Sequence, residues 1–409
     1  MFTFARYFTV YLVFGYTFTY TVFDVFPIEG FIVSALYLCV IWISGFLFRQ
    51  PVINSYCCDH LVMVSSIIRT CLYVSFSAWI FIIIDRYIIF GSDLFSMGTA
   101  RLRVEKNEYG SSGTIFSLIG NLFAYTYFIA LYLFVAFYKV ISRQTVKINL
   151  ALFLMLLLLS VYFTGGRTPL ILAILSVLAG FSFNRGFIHD SLSFNKISAS
   201  KVVILIILAV FSFGYIFYLR SVAFNSGDSF MYVTNMCFHL TSFDESLTES
   251  CASLGVDDLS VSIVRDIINY SIAILLYAFH GLWIANDIGI TFIPTSESVI
   301  SLAGITFLLR RFGFEFFSHD YVGYFVPFYS SVFHDLGVIF SLPFLIGLPL
   351  VCRFLMTRQV TGINYYGVFY FFGFITIALS FFINPLNFPF YLLCLTGILI
   401  VVFLQIKGR

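Results

Sequence analysis

Runs of about twenty apolar residues recur along most of this chain, and they limit its fold more than any other feature. About ten such runs lie near 7–26, 28–48, 62–86, 114–138, 149–164, 168–184, 201–219, 327–351, 364–383 and 387–406. A helix of roughly 20 apolar residues crosses the hydrocarbon core of a bilayer and satisfies its own backbone hydrogen bonds there. The sequence therefore predicts an all-α, polytopic integral membrane protein, with one membrane domain over residues 1–409.

Composition also indicates that lipid is the solvent. Hydrophobic residues make up 60% of the 409 residues and charged residues only 10%, whereas soluble domains carry about 25% charged residues. The first run, "FTVYLVFGYTFTYTVF", has no small-residue cleavage site, so we interpret it as a retained helix and not as a signal peptide. The net charge of +2 gives no indication of nucleic-acid binding.

Lysine and arginine occur in alternate connections between the apolar runs. They are Arg49; Lys139, Arg143 and Lys147; Arg185, Lys196 and Lys201; Arg353 and Arg358; and Lys407 and Arg409. The positive-inside rule places these connections and both termini in the cytoplasm. Three regions then face outward: a first periplasmic loop at 87–113, a short turn at 164–169, and a large periplasmic loop at 220–326.

The large loop contains a further apolar run at 267–289, long enough to span. The connection that follows it, 286–299, holds no lysine or arginine, which argues against cytoplasmic exposure. We therefore predict an interfacial or re-entrant element, with 301–314 as its companion. The alternative is a true extra hairpin, which raises the number of spans from about ten to about twelve.

Outward basic residues are nearly all arginine. They are Arg101, Arg103, Lys106, Arg167, Arg220, Arg265, Arg310 and Arg311. Arginine offers a planar, bidentate fork that matches phosphate oxygens, so the set suggests a bound diphosphate on a lipid carrier. The alternative for any single residue is an ion pair with a nearby acid, such as Asp266 beside Arg265.

One of these arginines lies in "TGGRTPL" (164–170), between two apolar runs. Gly165 and Gly166 permit a tight turn, and Pro169 suits the first turn of the returning helix. Arg167 is therefore predicted at a hairpin apex beside a helix N-terminus, where an anion is favoured. The alternative is that Arg167 reaches out to lipid headgroups.

Two motifs in this chain resemble those of the O-antigen polymerase family, the Wzy-type oligosaccharide repeat-unit polymerases. "TGGRTPL" resembles the family's Gly-Ser-Arg turn, and a large outward loop follows two helices later. "YVGYFVPFYSSVFHDLGVIFSLPFLIG" (321–347) resembles the tyrosine-rich segment that runs into Asp-Phe-Gly and a helix; here the triplet is Asp335, Leu336 and Gly337.

The resemblance implies a GT-C-like enzyme of the bacterial inner membrane that transfers a growing glycan from undecaprenyl diphosphate to another lipid-linked repeat unit. Its partners would be the lipid-linked oligosaccharide, membrane lipid and a chain-length regulator, with no nucleic acid and no cofactor. Arginines can stabilise the diphosphate leaving group without a metal ion. An acceptor hydroxyl requires a general base. The outer candidates are Asp335, His334, His319, Asp320, Glu315 and His280.

Asp335 leads these candidates because, in the matching motif, we expect it to begin a helix at the membrane face. A plain helix N-cap is the alternative role for an aspartate in that position. An O-antigen ligase and a lipid-linked oligosaccharide flippase or other transporter remain alternative functions. Cys237 and Cys251 both lie in the outer loop, where they form either a disulfide or two free thiols.

Overall fold

The computed structural model describes most of the chain as helices and short connections. The described residues are 2–47, 58–85, 114–138, 141, 143–164, 168–187, 214–222, 227–242, 244–257, 261–289, 291–294, 326–358, 363–380, 382–385 and 389–400. Within these ranges there are helices and turns but no strand. The all-α prediction is thus confirmed for this part of the chain.

Fourteen helical stretches are labelled here in chain order. They are α1 (Phe2–Phe23), α2 (Ile28–Leu47), α3 (Cys58–Ile83), α4 (Ile115–Phe123), α5 (Tyr127–Ala136), α6 (Arg143–Thr164), α7 (Thr168–Phe187), α8 (214–222), α9 (Ser229–Thr241), α10 (Glu245–Glu249), α11 (Ser262–Ile288), α12 (Phe328–Arg358), α13 (Ile363–Ser380) and α14 (Pro389–Cys394). A short 3-10 turn, Ser250–Ser253, follows α10.

Five helical segments in the described ranges are long and apolar enough to cross a membrane. They are Ile28–Phe46, Val64–Ile83, Ile115–Ala136, Ser262–Ile288 and Phe328–Gly347. Four shorter apolar helices accompany them, at Lys147–Phe163, Thr168–Asn184, Tyr370–Ser380 and Tyr391–Ile400. The protein is therefore a helical membrane protein, as its hydropathy predicts.

The chain divides into two compact units, where the sequence predicts one membrane domain. The first unit comprises Met1–Phe48, Val203–Leu350 and Ile377–Asn387. The second comprises Arg49–Val202, Val351–Thr376 and Phe388–Arg409. Because each unit is built from three separate stretches, neither can complete its packing until the carboxyl-terminal helices have been made.

In the first unit, α11 packs against the α1–α2 hairpin at two glycines. A Cβ atom built on Gly15 would lie 2.4 Å from the Leu282 side chain, and one on Gly30 would lie 2.8 Å from the Leu282 carbonyl oxygen. The amide N–H of Gly30 donates to Asn286 Oδ1 at 3.2 Å. The absence of a side chain at both positions lets the backbones approach closely, as in many helix contacts within membranes.

Helix α11 is one continuous helix of 27 residues, so there is no re-entrant turn within it. Its contacts show that it runs in the same direction as α1: Tyr11 bonds to Ala278, whereas Thr19, farther along α1, bonds to Trp283. In the predicted twelve-span alternative, α11 would cross in the opposite direction to α1. The observed direction therefore differs from the one that the extra hairpin predicts, while the length and apolar character of α11 are sufficient for a membrane span. The predicted interfacial placement stays a prediction.

In the second unit, α5 is the most deeply buried helix. It packs against α3 and α7, and Gly180 of α7 allows an approach in which an added Cβ would lie 2.7 Å from Val135. Residues 124–126 separate α4 from α5 within the run that was predicted as one span at 114–138. Thr126 Oγ1 donates to the carbonyl of Cys71 at 3.1 Å, and this bond ties the turn to α3.

Helices α6 and α7 pack against each other and are separated by residues 165–167 alone. Pro169 lies in the first turn of α7, as predicted, where its missing N–H removes no helical hydrogen bond. Gly165, Gly166 and Arg167 lie outside the described residues, so the predicted apex stays a prediction.

Candidate functional site

A break in α12 is the centre of the candidate site. Gly337 has φ 65° and ψ 166°, values that do not belong to a helix. They divide α12 into a short first segment, 328–336, and a longer second segment, 338–358. Ser341 Oγ donates to the carbonyl of Val332 at 2.8 Å, so the second segment is bonded back onto the first. A glycine meets the positive φ without the steric cost that a Cβ would add.

The chain just after α11 lies in this break. Thr291 Oγ1 is 3.0 Å from the carbonyl oxygen of His334 and 3.2 Å from that of Phe333. The amide N–H of Val338 donates to the carbonyl oxygen of Thr291 at 2.9 Å. Thr291 thus bonds to the carbonyl of His334 before the break and to the N–H of Val338 after it. Groups at helix ends have no partner within the helix and need one from outside.

His334 and Asp335 form a pair directly before the break. Nδ1 of His334 lies 3.0 Å from Oδ1 of Asp335, and the two side chains are 17% and 6% exposed. The expectation that Asp335 begins a helix is wrong. The helix begins at Phe328, and Asp335 lies at the end of its first segment. The N-cap alternative does not apply to the first segment, which begins at Phe328, and Asp335 lies two residues before the break at Gly337 from which the second segment starts.

The pair has the geometry of a histidine held by a carboxylate. When Nδ1–H of a neutral imidazole donates to a carboxylate, the lone pair lies on Nε2, the nitrogen that can accept a proton. The carboxylate fixes the ring orientation and stabilises the imidazolium that forms. In such a pair the imidazole can accept a proton and the carboxylate can orient it, whereas the sequence predicts Asp335 as the leading base candidate.

The first segment of α12 is fixed to the hairpin α1–α2 by buried hydroxyl groups. The hydroxyl of Tyr329 lies 3.1 Å from Ser34 Oγ, which in turn lies 3.2 Å from the hydroxyl of Tyr16. The Tyr329 ring stacks on that of Tyr37 with centroids 4.9 Å apart. These contacts hold the segment at its amino end, six residues before Asp335.

The stretch after α13 supports the same segment from another direction. Asn384 is fully buried, and its side-chain amide donates to Ser331 Oγ at 3.0 Å. Its backbone N–H donates to the carbonyl of Val326. The irregular backbone on either side of the segment is therefore hydrogen-bonded within the protein, which is the condition for such backbone at membrane depth.

The predicted arginines are only partly within the described residues. Arg265 lies 3.6 Å from a carboxylate oxygen of Asp266 and 3.8 Å from one of Asp257, and its side chain is 30% exposed. The acid-pairing alternative therefore describes Arg265. Arg220 is half-buried on α8. Arg167, Arg310 and Arg311, together with the base candidates His319, Asp320 and Glu315, lie outside the described residues.

His280, another base candidate, is buried inside the first unit. It is 2% exposed, and its Nδ1 lies 2.9 Å from the carbonyl oxygen of Tyr277 one turn earlier. This is the environment of a core histidine.

Comparison with known proteins gives no match: no family model, curated protein or solved structure matches this chain.

The cysteine pair of the large loop is bonded. A disulfide joins Cys237 on α9 to Cys251 in the 3-10 turn, with the two Cα atoms 5.6 Å apart. The disulfide prediction is thus confirmed, and the free-thiol alternative is wrong. Disulfides persist in oxidising compartments, which agrees with the predicted outward position of this segment.

Metal-ligating groups do not cluster in the part of the chain that the structure describes: no three His, Cys, Asp or Glu side chains are placed to hold one ion. Sequence reasoning found His334 and Asp335 but missed Thr291. Forty-three residues separate Thr291 from His334 along the chain. Nothing in "GITFIP" marks Thr291, because its role depends on a contact made only in the folded chain.

Proposed function

We propose that this protein polymerises lipid-linked oligosaccharide repeat units on the outer face of a bacterial inner membrane. It would transfer the growing glycan from undecaprenyl diphosphate to the sugar of an acceptor repeat unit. The observation that carries the proposal is the His334–Asp335 pair at the break in α12, within the segment that resembles the polymerase family. A GT-C-like arrangement of helices and a periplasmic site belong to the same proposal.

The proposed reaction needs a base on the acceptor side. Nε2 of His334 accepts the proton of the acceptor hydroxyl as that oxygen attacks the anomeric carbon of the donor sugar. Asp335 stabilises the imidazolium formed, which is the usual benefit of a carboxylate on Nδ1. The glycosidic bond to the carrier breaks, and the electron pair leaves with the diphosphate.

The proposed leaving-group site consists of arginines. Arg167, Arg220, Arg310 and Arg311 are the candidates that would stabilise the developing charge on the diphosphate. Arg265 is the weakest member of the set, because two carboxylates lie within 4 Å of its guanidinium. Since arginines supply the positive charge, the proposal requires no metal ion.

Loss of the gene should distinguish this proposal from its two rivals. A polymerase deletion leaves lipopolysaccharide with a single repeat unit, and an O-antigen ligase deletion leaves none while long carrier-linked glycan accumulates. A flippase defect removes nearly all repeats from the surface. A gel of lipopolysaccharide from the deleted strain, with the carrier-linked glycans measured in parallel, therefore decides among the three.

The direct test uses purified protein in lipid and the carrier-linked repeat unit of the same organism. We expect polymer to form, and to form equally well in a chelator. Product that disappears in the chelator and returns with Mg²⁺ or Mn²⁺ would contradict the metal-independent mechanism. Failure to polymerise in either condition, with a folded protein, would contradict the proposed function itself.

A further inference from the structure

We propose that Thr291 is a positioning residue for the His334–Asp335 pair. The inference rests on the proposed function, because it assigns Thr291 a role in the reaction attributed to that pair. Thr291 touches no reacting atom. It acts on the backbone that carries His334, through the contacts of its hydroxyl and its carbonyl oxygen on either side of Gly337.

The carbonyls at the end of a helix normally need partners from outside the helix. Within an unbroken α12, the N–H of Val338 would bond to the carbonyl of His334, four residues earlier. In the structure that N–H instead donates to the carbonyl of Thr291, and the Thr291 hydroxyl contacts the His334 carbonyl. Thr291 therefore replaces, with its own two groups, the helical bond that the break removes.

Apolar burial does not hold this part of the chain in place. Phe292 is 71% exposed and Ile293 is 72% exposed. The backbone of these two residues lies close to Gly337, where an added Cβ would be 2.6 Å from the Phe292 carbonyl oxygen. The polar contacts of Thr291 are thus the groups best placed to keep the segment in the break.

The position of Thr291 is in turn fixed by α11. Gly289 ends α11 with φ 67°, two residues before Thr291, and the helix is bonded to α2 through Asn286 and Gly30. The hydroxyl of Thr291, three residues after the end of α11, therefore links that helix to the carbonyl of His334. A displaced Thr291 would let the backbone at His334 move, and the imidazole would lose its orientation toward an acceptor.

The test compares three variants in the full-length protein in lipid. Thr291→Val keeps the shape of the side chain and removes the hydroxyl, whereas Thr291→Ser keeps the hydroxyl. Thr234→Val is the matched control, because the Thr234 hydroxyl is buried on α9 and has no hydrogen-bond partner among the described residues. We expect Thr291→Val to lower kcat about 3- to 10-fold with KM little changed, as the loss of one hydrogen bond predicts.

Thr291→Ser should restore kcat to within about 2-fold of the parent protein, and Thr234→Val should leave kcat unchanged. A second readout does not depend on polymer formation. The rate at which diethyl pyrocarbonate modifies His334, followed by mass spectrometry, should rise in Thr291→Val and stay at the parent value in Thr291→Ser. A role confined to folding would lower the yield of folded protein but would not change these rates in the folded fraction.

The outcomes separate the two proposals. A parent protein that forms no polymer overturns the proposed function and the role of Thr291 with it. An active parent, with Thr291→Val equal to it in kcat and in the modification rate of His334, overturns the role of Thr291 alone. Equal losses in Thr291→Val and Thr291→Ser also overturn it, since the hydroxyl would then not be the group that matters.

Discussion

The hydroxyl of Tyr11 donates a hydrogen bond of 2.8 Å to the carbonyl oxygen of Ala278. Farther along α1, the indole N–H of Trp283 donates to Thr19 Oγ1 at 2.7 Å. These two bonds make α1 and α11 run in the same direction. They place the carboxyl end of α11, and Thr291 after it, toward the turn between α1 and α2, whereas the disulfide segment precedes the amino end of α11.

This direction sharpens the topology prediction. We expect reporter fusions at Lys147 and Asn195 to report the cytoplasm, and fusions at Phe26 and Ser246 to report the periplasm. Periplasmic signals at both Phe26 and Ser246 would mean that α11 does not cross the membrane. A periplasmic Phe26 with a cytoplasmic Ser246 would mean that α11 crosses, and that the predicted outward position of 220–261 is wrong.

Variants of the pair should test the roles of its two members. We expect His334→Ala to lower the polymerisation rate about 100- to 10,000-fold, the usual contribution of a general base. Asp335→Asn should lower it roughly 10- to 100-fold, because a charge-assisted hydrogen bond contributes about 1.5–3 kcal/mol. Initial rates at saturating carrier-linked substrate provide the measurement.

His239→Ala is the control for that pair, since His239 is an exposed histidine on α9. It should polymerise like the parent protein at a matched level in the membrane. If His334→Ala does as well as His239→Ala, the base lies elsewhere, and His319 becomes the next candidate. If Asp335→Asn lowers the polymerisation rate as much as His334→Ala does, Asp335 does more than orient the histidine, and the assigned role is wrong.

A substitution of alanine at Gly337 should destabilise the protein, whereas the same substitution at Gly347 in the same helix should not. Gly337→Ala would put a Cβ at φ 65° and 2.6 Å from the carbonyl oxygen of Phe292, and the positive φ alone costs about 1–2 kcal/mol. A Cβ on Gly347 meets no atom of the described residues within 4 Å, so Gly347→Ala should gain about 0.5–1 kcal/mol from helix propensity. Unfolding midpoints in detergent, measured side by side, should fall for the first variant only.

Lysine substitutions should separate Arg167 from Arg265. Arg167→Lys keeps the charge but loses the bidentate fork, so we expect roughly a 10- to 100-fold loss of rate if one charge-assisted bond acts mainly in the transition state. Arg265→Lys should leave the ladder of glycan lengths normal, because Arg265 already pairs with Asp257 and Asp266, and lysine keeps the charge that these pairs need. A normal ladder with Arg167→Ala would make Arg167 a headgroup anchor.

The disulfide should be detectable by thiol labelling of the denatured protein. Without reductant we expect the six cysteines outside the bond to react, namely Cys39, Cys57, Cys58, Cys71, Cys352 and Cys394. Cys237 and Cys251 should react only after reduction. Replacing both bonded cysteines with alanine should lower stability by roughly 3 kcal/mol, the value expected for a closed loop of about 15 residues. Labelling of both without reductant would contradict the bond.

Hydropathy and turn chemistry, which are local, determined much of what could be predicted. The apolar runs predicted a helical membrane protein, since each run is by itself long enough, at about twenty apolar residues, to cross the hydrocarbon core of a bilayer. Pro169 was placed correctly in the first turn of α7, because a proline near a helix start needs no distant partner. The pairing of Cys237 with Cys251 was also a correct prediction, as the two are close in sequence and share a loop.

Distant contacts decided the rest. The run 327–351 was predicted as one span and Asp335 as the start of a helix, yet the helix begins at Phe328 and breaks at Gly337, where the segment after α11 lies against that glycine. Arg265 was grouped with the anion-binding arginines, with an ion pair to Asp266 as the alternative. The structure shows that ion pair and adds Asp257, eight residues earlier. Hydropathy in a window of twenty residues contains no information about such contacts. A helix break leaves backbone groups without hydrogen-bond partners, and a residue far along the chain can supply those partners. Only the tertiary structure determines which residue does so.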